Sequence, residues 1–226
     1  MVPATIVTNL KQIQKLIPPN VTLIGVSKKQ TPEKIEEAYK AGLRHFGENT
    51  VQEFEKKYES PLPLGAPHQG RRDKMDKIFW HFIGHLQKNK VKKIIGKIDY
   101  LHSLDSVELA KEIDKKLGSG VVLKCFVQVN ISKEPSKHGV FPEDLCWFLN
   151  QLYQFPHITI QGLMCIPPYY ENPENVRRHF KDMKKLAQKF GLKDLSMGMS
   201  HDYKIAIEEG ATYIRIGEAL FGIRQK

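Results

Sequence analysis

The run Thr22-Leu-Ile-Gly-Val-Ser27, followed shortly by Thr31-Pro-Glu-Lys-Ile-Glu-Glu-Ala-Tyr-Lys-Ala-Gly42, decides the fold class. Its first half is short, apolar and rich in β-branched residues, as a buried strand is. Its second half changes period. Thr31 suits an N-cap, and Pro32 suits a first helical position, where a missing N–H costs nothing. Gly42 suits the residue just past the last turn. Ile35, Ala38 and Tyr39 share one face. A buried strand feeding an amphipathic helix is one βα unit.

The unit recurs along the chain. A leading helix is expected near residues 4–17. Further strands are read at 44–46, 79–83, 99–103, 121–130, 158–164, 194–197 and 212–216. Helices are read from near Thr50, over the lysine-rich 88–97, from an Asp105/Glu108 capping box to Leu117, over 142–153 and 173–190, after Ser200, and finally to Phe221. A faint echo supports repetition: Ala38 and Gly42 lead to Phe46-Gly-Glu48, and Ala206 and Gly210 lead to Ile216-Gly-Glu218. Roughly eight such alternations in ~225 residues is the scale of a TIM barrel. The expected fold is therefore α/β, a TIM (β/α)8 barrel, a single domain over 1–226 with an extra N-terminal helix. A doubly wound open sheet is the alternative. No Gly-x-Gly-x-x-Gly turn follows the first strand to support it. Ser60 to Lys77, rich in proline, glycine and basic residues, reads as a surface loop.

Composition narrows the function. Hydrophobic residues at 41% suffice for a core, and 27% charged residues fit a globular chain rather than a membrane protein. No apolar run is long enough to cross a bilayer, and residues 1–20 lack a signal-peptide layout. A cytoplasmic location is expected. Cys125, Cys146 and Cys165 are odd in number and widely spaced, which predicts buried reduced thiols, no disulfide framework and no metal site. The net charge of +10 can attract phosphorylated ligands or nucleic acid. Its densest stretch, Lys88 to Lys97, keeps Val91, Ile94 and Ile95 at helical spacing, so its lysines read as a solvated face. Nucleic acid is not the expected partner.

Barrel ligands sit at the C-terminal strand ends. Lys28, Asn49, Gly84, His85, Gln87, Asn130, Ser200, Arg215 and Gly217 fall there. A lysine amine ending a buried strand is costly to desolvate, and bonding an aldehyde removes that cost. Beside this stands the plainer reading that Lys28 and Lys29 are a solvated pair. Ser200 and Gly217 at helix starts could cradle a phosphate, or Ser200 could be an ordinary N-cap. Arg215 on an inward strand position could donate to the pyridine nitrogen of pyridoxal phosphate, or form a salt bridge with Glu218 or Glu48.

Val26-Ser-Lys28, Phe46-Gly-Glu-Asn49, Trp80-His-Phe-Ile-Gly84, Leu86-Gln-Lys-Asn-Lys90, Asn130-Ile-Ser132, Gly162-Leu-Met164, Leu195-Ser-Met-Gly-Met-Ser200 and Arg215-Ile-Gly217, in this order, resemble the pyridoxal-phosphate homeostasis (YggS/PROSC-type) family. That family is in turn similar to the barrel domain of alanine racemase and of bacterial-type ornithine decarboxylases. The resemblance implies that Lys28 forms an aldimine with pyridoxal 5'-phosphate. It places Asn49, Met199, Ser200, Ile216 and Gly217 around ring and phosphate, Arg215 at the pyridine nitrogen, and His81 and Met164 near the pocket. Thr50 departs from the tyrosine usual in the family.

The expected role is a carrier or buffer in intracellular pyridoxal-phosphate (vitamin B6) homeostasis, with apo pyridoxal-phosphate enzymes as candidate partners. Racemisation needs a base on each face of the substrate. The racemase relatives take the second from an added domain, which this sequence, ending at Lys226, is not expected to have. A racemase or lyase with one base is the alternative. A monomer is expected.

Overall fold

Strand β1 (Thr22–Val26) pairs in parallel with β2 (His45–Glu48) on one side and with β8 (Tyr213–Ile216) on the other, which closes the sheet. The intervening strands are β3 (Phe79–Phe82), β4 (Tyr100–Leu104), β5 (Leu123–Gln128), β6 (Ile158–Met164) and β7 (Asp194–Ser196), and all eight follow chain order around a closed barrel. This is the expected TIM barrel. The computed structural model describes residues 5–60, 77–118 and 120–222. Most of the loop read at Ser60–Lys77 lies outside the described residues.

The strands alternate with α1 (Ile6–Leu16), α2 (Pro32–Lys40), α3 (Val51–Tyr58), α4 (Val91–Ile94), α5 (Val107–Lys116), α6 (Leu145–Leu152), α7 (Arg177–Lys189), α8 (Tyr203–Glu208) and α9 (Glu218–Phe221). Helix α1 precedes the barrel and contacts α2 and α9. Two apolar layers result. The larger lies between strands and helices and holds Phe46, Phe54, Trp80 and Phe180, all essentially inaccessible. The smaller joins Tyr100, Phe126 and Met164 with Phe79 and Tyr213. These come from five strands, so they meet inside the barrel, where Phe126 of β5 reaches Tyr213 of β8 at 5.1 Å between ring centroids.

Several boundaries differ from the sequence reading. The cap of α5 is Ser106, whose hydroxyl accepts from the Leu109 N–H; Asp105 stands one residue too early. β5 starts at Leu123, because Val121 and Val122 follow a left-handed Gly120 and remain about half exposed. The lysine-rich stretch is only a 3-10 turn, Lys88–Lys90, and one α-turn, Val91–Ile94. Val91 and Ile94 are buried as expected, and Lys93 and Lys97 pair with Glu55 and Glu59. Cys125 and Cys165 are buried, but Cys146 is exposed, since α6 turns Leu145, Phe148 and Leu152 inward and leaves Cys146 outside.

Candidate functional site

The C-terminal strand ends border an open cleft of about 240 Å³. Lys28, Asn49, Met199, Ser200, Arg215 and Gly217 all line it, with Val26, Ile83 and Ile166 as apolar wall and His201 and Glu218 at the rim. Lys28 is half-buried and Lys29 exposed. Their turn is held from below. Lys57 Nζ donates to the Ser27 carbonyl (2.6 Å) and to Glu48 Oε1 (2.7 Å), while the Lys29 N–H donates to Glu53 Oε2 (2.7 Å). The Ser27 hydroxyl also donates to Glu48. Lys29 takes the left-handed conformation, φ 59°, which turns the chain away from the cleft directly after Lys28. Burial pushes the Glu48 carboxyl upward, and the Lys57 ammonium opposes that shift.

Asn49 Oδ1 is buried and has no hydrogen-bond partner among the described residues. A buried acceptor left unmatched is open to a donor from outside the protein. Its backbone is fixed by Gly84: a Cβ at Gly84 would stand 1.9 Å from the Asn49 carbonyl oxygen. Ser200 is not the cap of a following helix, as α8 starts only at Tyr203. Its Oγ instead accepts the N–H groups of Gly217 and Ala219 at the start of α9, both at 3.3 Å. Those bonds are long, and a phosphate oxygen could take over the same donors.

Arg215 is 4% exposed. No carboxylate pairs with it among the described residues: Glu48 is taken by Lys57, which removes that alternative. Its Nη1 donates to Ser196 Oγ (2.6 Å) and its Nη2 to the Cys165 carbonyl (2.9 Å). Burial lowers its pKa somewhat. A guanidinium stays charged even so, and the residue is one of those lining the cleft.

His81 and Met164 do not line the cleft; both are fully buried in the barrel interior beneath it. The Ile216 side chain is not among those lining the cleft. Side chains alternate along β8, so with Arg215 inside, Ile216 faces the outer apolar layer. His81 belongs to a polar chain that sequence reading missed. His45 Nδ1 lies 2.9 Å from His81 Nε2, His81 Nδ1 lies 2.8 Å from His102 Nε2, and His102 Nδ1 lies 2.9 Å from Ser196 Oγ. Burial lowers the pKa of all three imidazoles, that of His45 to about 4. The only signal in the sequence is a histidine on each of three successive strands. His85 and His138 also gather at the mouth beside Asp105, but their rings stack at 3.9 Å, so their lone pairs run side by side instead of converging.

Residues 3–225 match the family model for the alanine racemase N-terminal domain. A pyridoxal phosphate homeostasis protein of Aquifex aeolicus is 45% identical over 210 residues, 90% of this chain and 87% of the relative. This chain belongs to the pyridoxal phosphate homeostasis protein family. A second member, from Pseudomonas aeruginosa, is 39% identical over 214 residues, covering 92% and 86% of the two chains. Among solved structures, PipY of Synechococcus elongatus with pyridoxal phosphate bound superposes with a TM-score of 0.83 at 37% identity, covering 96% of this chain and 100% of that one. Alanine racemase of Corynebacterium glutamicum, at 15% identity and a TM-score of 0.74, shares the fold over 97% of this chain and 61% of its own. Among the described residues of this family member, no helix is long and apolar enough to cross a membrane.

Proposed function

We propose that this protein binds pyridoxal 5'-phosphate and serves its homeostasis, holding the cofactor through Lys28. The observation that carries this reading is the convergence of four different groups on one cleft: the Lys28 amine, the unmatched Asn49 amide oxygen, the Ser200–Gly217 donor cluster, and a buried Arg215 without a carboxylate among the described residues. Each answers one part of an aromatic phosphorylated aldehyde. Lys28 Nζ bonds the aldehyde carbon with loss of water. Ser200 and the N–H groups of Gly217 and Ala219 receive the phosphate. Arg215 donates to the ring nitrogen. Homology to PipY, solved with pyridoxal phosphate bound, and to the named homeostasis proteins supports the binding of the cofactor.

A holding role fits the cleft better than turnover. When bound, the cofactor supplies an electron sink, and that sink is strongest with its ring nitrogen protonated. Arg215 keeps its own proton and can only donate to that nitrogen. The cofactor would be stored and passed to apo pyridoxal-phosphate enzymes rather than consumed. Titration of the protein with pyridoxal phosphate tests the reading: a visible absorbance band should saturate at one equivalent, vanish in Lys28→Ala and persist in Lys29→Ala. Steady conversion of free amino acids by the pure protein, lost in Lys28→Ala, would favour the racemase or lyase reading instead.

A further inference from the structure

Behind Arg215 the barrel interior holds a run of polar groups that cofactor binding does not by itself require. His45 is on β2, His81 on β3, His102 on β4, Ser196 on β7 and Arg215 on β8. Each touches the next at hydrogen-bond distance, and the run passes from the cleft to a half-buried outer end at His45. Every ring is also stacked. His45 lies on Phe79 at 4.7 Å and 10°, His81 on Tyr100 at 4.5 Å and 4°, and His102 on Phe126 at 4.4 Å and 17°. The stacks fix the ring planes, so the nitrogens cannot turn away from one another.

The direction of the hydrogens follows from the ends. Arg215 can only donate, so Ser196 Oγ must accept from it. The second partner of Ser196 Oγ is His102 Nδ1. If the hydroxyl donates there, His102 carries its proton on Nε2 and donates to His81 Nδ1. His81 then donates from Nε2 to His45 Nδ1, and the Nε2–H of His45 is left at the outer end. In the reverse order His102 donates to Ser196, and the buried hydroxyl hydrogen has no acceptor among the described residues, a cost of roughly 1–3 kcal/mol. The reverse order also aims three N–H dipoles at a guanidinium. The charges at the two ends agree with the first order. The Arg215 cation stands at the oxygen end, and the Asp99 carboxylate acts on His45 at the hydrogen end.

We propose that His45, His81, His102 and Ser196 are positioning residues for Arg215: a one-directional run of hydrogen bonds that fixes the guanidinium, with every imidazole held as the neutral Nε2–H tautomer. The positioning role rests on the reading that Arg215 meets the cofactor ring; the tautomer assignment does not. With Nη1 anchored on Ser196 and Nη2 on the Cys165 carbonyl, the guanidinium is held in one orientation at the cleft that Arg215 lines.

The test has two arms. In the first, full-length protein with 15N-labelled histidine, free of cofactor, is studied by long-range 1H–15N NMR, with His45→Gln and His102→Gln assigning the signals. Three Nε2–H tautomers that do not titrate near neutrality are expected; one Nδ1–H tautomer or one imidazolium among them would overturn the assignment. In the second, Ser196→Ala and Ser196→Thr are compared for pyridoxal-phosphate affinity and for the pH profile of the bound chromophore. Loss of a hydrogen bond to a charged group should weaken binding about tenfold or more and move the profile, and the threonine hydroxyl should restore both. Unchanged affinity and profile in Ser196→Ala would refute positioning. The first arm reads the imidazoles of the wild-type chain, so it decides even if Ser196→Ala does not fold. Wild-type protein that binds no pyridoxal phosphate would sink the proposed function while the tautomer result stood by itself.

Discussion

Acidification should weaken this fold earlier than carboxylate chemistry alone would, because two histidines are sealed inside the barrel. His81 and His102 are fully buried, and desolvation holds both well below the ordinary value of 6.5. A folded-state pKa below the unfolded one means that the unfolded chain binds more protons as pH falls. Stability is therefore full above the unfolded value and is lost as pH drops through it. From about pH 7 to about pH 5.5, a histidine that stays neutral in the fold and titrates at 6.5 when unfolded costs about 1.3 kcal/mol, so the pair costs about 2.5 kcal/mol. Glu48, Asp105 and Asp202, whose carboxyls burial pushes upward, act in the opposite sense. Comparison with a variant removes their contribution. Urea unfolding of wild type and His102→Asn at the two pH values measures the difference directly. About 1.3 kcal/mol of the pH-dependent loss should disappear in the variant, whatever its absolute stability. A wild-type stability that is flat across this range, or a variant with the same loss as wild type, would refute the reasoning.

Asn49→Ala should weaken pyridoxal-phosphate binding about tenfold with little change in unfolding temperature, since its Oδ1 makes no hydrogen bond among the described residues; isothermal titration and thermal melts check both halves. Lys57→Met should destabilise the fold by about 3–5 kcal/mol by stranding buried Glu48, and adding Glu48→Gln should recover part of the loss; denaturant unfolding of the single and double variants decides. Gly84→Ala should cost both stability and cofactor affinity, because its Cβ would collide with the Asn49 carbonyl; thermal melts and cofactor titration of the variant measure the two losses. Pyridoxal without its phosphate should bind at least tenfold more weakly in a direct titration, and mutating Ser200 to Ala should narrow that gap.

The barrel was legible because each βα unit carries its own local signs: a buried apolar run, a cap and a helical stripe. Lys28, Ser200, Arg215 and Gly217 were legible because strand ends point at one mouth in this architecture. What escaped depended on contacts between distant strands. Nothing near His102 announces Ser196, which lies 94 residues away and is joined to it only by barrel closure. Lys57 of α3, which nothing in the sequence singles out, is 6% exposed, drawn inward by Glu48 and the Ser27 carbonyl. The outward turn of the Ile216 side chain was not legible from the motif, which names neighbouring residues together, whereas a strand sends their side chains to opposite faces. The Asp105 cap failed by one residue, as helix ends do when two capping residues adjoin.

Chemical trapping of the cofactor tests the role of Lys28 most directly. Protein loaded with pyridoxal phosphate is reduced with borohydride, digested and mapped by mass spectrometry. One pyridoxyl group, on Lys28, is the expected product. A label on Lys29 instead, or one spread over surface lysines without preference, would contradict the assignment.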